Sequence, residues 1–242
     1  INWARVLAQT VYYVTAALAL GAPERRVAFS VPTGNFGDVY AGAIARGMGL
    51  PVERLVVATN ENDILHRCFQ TGEYRRAEVV HTTSPSMDIQ VSSNFERALF
   101  DAHDQDGFAV AELMEALKSG GFTVSGEPLE RLRAAYESAR VSQDEAAQTI
   151  RRVHAETGRV IDPHTAIAVH GAGQRRGDPA TPMVSLACAH AAKFPDAVEA
   201  ACGVRPALPE RLADLYEREE RVTVVRKDFA EVQGLIRERR SA

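Results

Sequence analysis

Between a β-rich run, Val27 to Val31, and a helix-like run, Asp38 to Met48, stands Pro32-Thr33-Gly34-Asn35-Phe36-Gly37-Asp38. Glycines at Gly34 and Gly37 let a backbone approach an anion closely, and the amides and dipole of a helix that follows them attract negative charge. Holding a phosphate is the chemistry this spacing suits. The stretch is neither the GxGxxG dinucleotide fingerprint nor a P-loop, which needs GKS or GKT. Read by itself, a glycine turn between strand and helix is more often plain structure than a ligand site. A carboxylate beside a phosphate repels it, so Asp38 is expected to turn its side chain away and cap the helix while its amide faces the anion.

Arg5 is the second candidate, as the single charge in the apolar stretch Asn2 to Leu20. A guanidinium there must find an anion or reach water, and its paired donors suit phosphate. The alternative is a salt bridge for Arg5 and a helix cap for Asn2. Cys188 ends the apolar run Met183 to Cys188. A buried structural cysteine is a common fate for such a residue. His190 and Lys193 have the chemistry of acid-base work or anion binding, with no role assigned. Asn60, Asn62 and Asp63 follow the run Leu55 to Thr59, where strand ends of α/β sheets bind ligands, although capping the next helix is the safer reading. The histidines lack metal-ligand spacing, so no metal site is expected.

The elements that must position these residues read as alternating strands and helices, which argues for a central, mostly parallel α/β sheet. The stretch Asn2 to Leu20 is apolar on most faces and is expected to be a helix buried within a larger protein. A weaker strand is expected at Glu78 to His81. From about 95 to 157 the pattern is mostly amphipathic helix, a helical insertion, with a capping box at Ser142 and Glu145. Asp162 and Pro163 mark the start of another helix. Met183 to Cys188 reads as a strand and a helix follows from Pro195 or Asp196. The end reads as helices Pro209 to Arg221 and Lys227 to Arg240 around a strand Val222 to Val225.

Composition narrows the function classes. The 242 residues are 45% hydrophobic and 25% charged, the balance of a chain with a sizeable core. A net charge of -4 gives no basic surplus for phosphate backbones, so nucleic acid is not expected as a partner. Three scattered cysteines form no disulfide framework, which fits a cytoplasmic setting. No apolar run has the roughly 20 residues of a membrane span. The opening at Ile1, without methionine or a signal pattern, reads as a piece of a longer chain.

Several stretches together resemble one family, in its order: Ile1-Asn-Trp-Ala-Arg5, Gly34-Asn-Phe-Gly-Asp38, Ala58-Thr-Asn-Glu-Asn-Asp63, Met87-Asp-Ile-Gln-Val-Ser-Ser-Asn94, Asp162-Pro-His-Thr-Ala166 and Ala189-His-Ala-Ala-Lys-Phe194. The chain is similar to the C-terminal half of the threonine synthases, pyridoxal-phosphate (PLP) enzymes of the tryptophan-synthase-β fold type. The resemblance implies conversion of O-phospho-L-homoserine and water to L-threonine and phosphate. It implies Gly34, Asn35, Phe36, Gly37 and Asp38 around the cofactor phosphate, and Asn2 and Arg5 at the substrate phosphate. It puts Cys188 at the pyridine nitrogen, where the family usually has a hydroxyl residue, and Ala191 where proline is common. The Schiff-base lysine is expected upstream of Ile1, in an N-terminal half of the same polypeptide, because no FKD-like segment occurs here. That makes residues 1–242 the C-terminal large part of a two-domain enzyme, expected to be inactive alone. The alternatives are a threonine-synthase-like phospho-lyase and a non-catalytic module that binds a phosphorylated metabolite.

Overall fold

The computed structural model describes residues 2–240. Ile1, which opens the Ile1 to Arg5 stretch, lies outside the described residues. The elements divide into two units, up to Pro206 and from Ala207. In the first unit they run α1 Trp3–Ala19, β1 Val27–Pro32, α2 Gly37–Gly47, β2 Val52–Thr59, α3 Ile64–Thr71, β3 Glu73–Arg75, α4 Phe95–Ala102 and α5 Gly107–Lys118. They continue with β4 Gly121–Thr123, α6 Gly126–Ala135, β5 Glu137–Arg140, α7 Gln143–Thr157, α8 Pro163–Gln174, β6 Met183–Ser185 and α9 Pro195–Cys202.

The central sheet has the order β5-β2-β1-β6, with every neighbouring pair parallel. Parallel strands need covering on both faces, and β1 is buried at every position. Alternation along the strands sorts the side chains. Phe29, Val31, Leu55 and Val57 join one core cluster with Val6, Tyr13 and Ala17 of α1 and Val39, Ala41 and Ala45 of α2. Ala58 joins another with Ile150 of α7, Ala166 and Ile167 of α8 and Val198 of α9. The second face carries small residues because α8 lies very close to it. A methyl group at Gly171 would meet Ala58 Cβ at 3.0 Å and Ala139 Cβ at 3.3 Å, and Ser30 Oγ donates to Ala168 O at 2.7 Å.

The capping box at Ser142 and Glu145 forms, and Asp162 caps α8. Several expectations are corrected. No strand forms at 78–81; a small antiparallel pair, β3 with β4, lies on either side of that segment instead. Its residues give their hydrogen bonds to side chains, Val80 N donating to Asn62 Oδ1 at 2.9 Å. The region 95–157 is mostly helix, but β4 and β5 fall within it and β5 pairs with β2 in the central sheet. The run to Cys188 stops as a strand at Ser185. Helix α1 buries Val6, Thr10, Tyr13 and Ala17 on one face, while Trp3, Leu7, Val11, Tyr12 and Leu18 are exposed in this chain. In the second unit, residues 210–212 form a single turn and Phe229–Arg240 forms α10. Val222 to Val225 is not a strand there, since β-branched residues make a strand only with a partner to pair. Among the described residues no helix is long and apolar enough to cross a membrane.

The contact between α1 and α2 depends on Gly42, where a methyl group would lie 2.6 Å from Tyr13 Cε1 and 2.8 Å from Leu55 Cδ2. Gly42→Ala should therefore destabilise the chain by about 1–3 kcal/mol through overpacking, despite the better helix propensity of alanine. Gly47→Ala, in the same helix with open space around it, should be neutral or slightly stabilising. Urea midpoints of the two variants test this.

Candidate active site

After β1 the chain leaves the sheet through Thr33, whose amide donates to Ala58 O at 2.8 Å and whose hydroxyl donates to Val31 O at 2.7 Å. Phe36 then takes a left-handed backbone, φ 66°. For a bulky residue this conformation is strained by about 1–3 kcal/mol. What holds it is the ring, 1% exposed and packed 5.2 Å from Phe95, 5.1 Å from Tyr136 and 6.5 Å from Phe69 between centroids. The side chain of Phe36 is thus committed to the core, and what it can offer a ligand is backbone. Helix α2 begins at once, with Phe36 as N-cap and no side-chain cap. The amides of Gly34, Asn35 and Phe36 have no partner among the described residues. Together with the first turn of α2 they form a concavity whose free donors suit an anion.

A second segment clamps this turn. Gly34 lies so close to it that a methyl group there would meet Ser86 O at 2.9 Å and Met87 Cα at 3.3 Å. Ser92 Oγ donates to Gly34 O at 2.7 Å, Asn94 donates to Asn35 O through its amide at 3.1 Å and its Nδ2 at 2.9 Å, and Ser93 Oγ donates to Asn35 Oδ1 at 3.2 Å. The segment is anchored through Asp88, which accepts from Asn60 Nδ2 at 2.8 Å, Asn62 Nδ2 at 3.1 Å, Thr82 Oγ1 at 2.6 Å and the Thr82 amide at 2.8 Å. Asn60 and Asn62 are buried in this network, so neither caps α3. Asp63 has no capping bond either; it pairs with Arg67 at 2.9 Å and Arg140 at 3.2 Å. The sequence assigns no role to Asp88, Ser92 or Asn94; its signals are that they fall in the Met87 to Asn94 stretch that resembles the family, and a polar run, Asn60 to Asp63, longer than one helix cap needs.

The turn forms one wall of a cleft of about 590 Å³. Arg5, Gln9 and Tyr12 of α1 form another wall, and Val184 to Cys188 a third. Arg5 is exposed, and its guanidinium has no ion pair among the described residues. Asn2 is outside the lining: its Oδ1 accepts from the Arg5 amide at 3.0 Å and caps α1. Gln9 Oε1 is buried without a partner. His190 Nδ1 accepts from Ala192 N at 3.2 Å, and Lys193 lies over the Phe194 ring at 5.9 Å.

The family described as "Threonine synthase, C-terminal" matches residues 165–236. Threonine synthase of Pseudomonas aeruginosa is 54% identical over 238 residues, which is 98% of this chain and 51% of that protein. The PLP-bound threonine synthase of Brucella melitensis superposes with a TM-score of 0.93 at 53% identity, over 100% of this chain and 52% of that one. The chain matches the C-terminal half of the threonine synthases. It spans about half the length of the curated relatives it matches. The yeast threonine synthase agrees, with a TM-score of 0.89 at 37% identity over 100% of this chain and 53% of that one. The parallel sheet and its two helical layers are those of the tryptophan-synthase-β fold type shared by these threonine synthases.

Within this threonine-synthase framework Asp38 does not cap α2. Its main-chain oxygen accepts from Tyr13 Oη at 2.8 Å, its Oδ1 lies 3.2 Å from the same hydroxyl, and its Oδ2 accepts from the Cys188 thiol at 3.9 Å. Phe36 rather than Asp38 stands at the cap position, which leaves the carboxyl to these partners. Burial pushes the Asp38 carboxyl up to about 6 from 3.8, against the opposing bonds from Tyr13 and Cys188. Cys188 is exposed as a residue while its sulfur faces Asp38. Loss of water on that side, followed by the charge of Asp38, pushes the thiol up to about 12. A carboxyl whose folded value is raised gives its full stability below the ordinary value and loses it as pH rises through about 6. Asp38→Asn should therefore gain stability over the parent as pH rises from 4 to 7.5, by up to about 2 kcal/mol. Denaturation at several pH values tests this; a pH-independent difference would contradict it.

Proposed function

We propose that this chain is the C-terminal part of a threonine synthase, which converts O-phospho-L-homoserine and water to L-threonine and phosphate in cytoplasmic threonine biosynthesis. The observation that carries the reading is the Gly34 to Asp38 turn, with three amides unpartnered among the described residues in a cleft that also presents Arg5, without an ion pair among those residues. Those features suit two phosphates on neighbouring walls. The residues fit PLP: the turn is built of backbone donors, it is clamped in place, and the cleft has room for a ring against Cys188. When bound, PLP supplies the electron sink for carbanion chemistry on the substrate.

In this reading the amides of Gly34, Asn35, Phe36, Gly37 and Asp38 hold the cofactor phosphate, and Cys188 meets the pyridine nitrogen. Arg5 binds the substrate phosphate with its paired donors. Asn2 contributes by capping α1 at the Arg5 amide, leaving its Nδ2 as a further donor. Neither lysine of the first unit, Lys118 or Lys193, is among the residues that line the cleft. In this reading, as the family resemblance implies, the Schiff-base lysine comes from an N-terminal half of the same polypeptide. Residues 1–242 form the large C-terminal part, and the inserted portion of the mostly helical stretch 95–157 ends where β5 joins the central sheet.

Two outcomes follow. The 242-residue chain mixed with PLP and O-phospho-L-homoserine should release no threonine, whereas the full-length protein should release threonine and phosphate in equal amounts. A keto acid with ammonia in place of threonine would make it a phospho-lyase. In the full-length protein, Gly34→Ala should weaken PLP binding at least tenfold, about 1.4 kcal/mol, because the methyl group displaces the turn from its clamp. Retained PLP affinity, measured by fluorescence titration, would contradict this role for the turn.

A further inference from the structure

A thiol carries a single hydrogen. Cys188 can give it to Asp38 Oδ2, 3.9 Å away, or to a ligand in the cleft, but not to both. The carboxyl is held for the first choice. Tyr13, fully buried in α1, binds the main-chain and Oδ1 oxygens of Asp38 through one hydroxyl, which leaves Oδ2 toward the sulfur. We propose that Asp38 is a positioning residue that sets the direction of the Cys188 hydrogen bond, so that the sulfur meets a pyridine-type ring nitrogen as an acceptor while Asp38 is charged and as a donor once Asp38 is protonated. The proposal rests on Cys188 being the partner of the ring nitrogen.

Burial pushes the Asp38 carboxyl up to about 6, which brings both directions within reach of mild conditions. The groups that face the pair are few. Tyr13 comes from α1, the helix whose Arg5 lines the cleft, and Asp162 at the start of α8 adds its charge to that of Asp38 on the thiol. A carboxylate at Cys188 Sγ acts where a hydroxyl residue would have both a hydrogen to donate and a stronger acceptor oxygen. With the weaker thiol, the neighbour that takes the hydrogen decides what the ring nitrogen meets.

Two measurements on the full-length protein test this, with Cys202→Ser as background and folding checked by circular dichroism. First, without PLP, alkylation of Cys188 by iodoacetamide is followed against pH by mass spectrometry. Asp38→Asn should alkylate on the order of tenfold faster at pH 8, because removing a negative neighbour lowers a thiol pKa; an unchanged profile would overturn the coupling. Second, the shift of ¹⁵N at the ring of bound PLP is recorded from pH 5 to 8. It should show a step that moves upward in Tyr13→Phe, which loses a bond favouring the carboxylate, and vanishes in Asp38→Asn and Cys188→Ala. A step that persists in both of the last two variants overturns the proposal. If PLP does not bind at all, the reading of the cleft fails, and the alkylation result alone decides whether Asp38 controls the thiol.

Discussion

The left-handed backbone at Phe36 is the constraint on which the site depends. A glycine there would reach the same conformation without strain, but it would also leave the turn free to move. A phenylalanine makes the turn part of the core: its ring is held by Phe69, Phe95 and Tyr136, which come from α3, α4 and the residue following α6. The strain of about 1–3 kcal/mol is offset by that packing. The amides of Gly34 to Phe36 are thereby aimed by residues far away in sequence, and an anion meets donors already in place. Pre-organisation of this kind lowers the entropy lost on binding.

The clamp works from the other side of the turn. Ser92, Ser93 and Asn94 take up the oxygens of Gly34 and Asn35, so the turn's hydrogen-bond acceptors are spent on protein and only its donors remain free. That asymmetry favours an anion over a cation. Asp88 sits within the clamp as a carboxylate surrounded by amide and hydroxyl donors, and Asn60 and Asn62 tie it to the end of β2. The site is thus assembled from the carboxyl ends of β1 and β2 and the segment after β6, where open α/β sheets bind their ligands.

Helix α1 links this site to the rest of the molecule. Tyr13 is buried against Phe29 at 4.8 Å and carries the Asp38 oxygens, while Arg5 and Gln9 of the same helix face the cleft. A shift of α1 therefore moves both a cleft cation and the support of Asp38. Gly42 of α2 lets Tyr13 of α1 pack closely against it.

Much of this was legible in the sequence. The alternation of runs such as Val27 to Val31 and Leu55 to Thr59 with helical segments specifies a parallel α/β sheet, because strand burial on both faces demands continuous apolar runs. Local rules also located the glycine turn, the Ser142 capping box and the Asp162 cap, since each depends on neighbours within a few residues. What only the tertiary structure decided depends on distant partners. Asp38 looks like a cap in sequence, but Phe36 occupies that position and Tyr13 and Cys188 capture the carboxyl. Asn62 looks like a helix start, and Asp88, 26 positions beyond it, takes it instead. Val222 to Val225 has the residues of a strand and forms none, because β-branched side chains favour a strand only when another strand is present to pair with it.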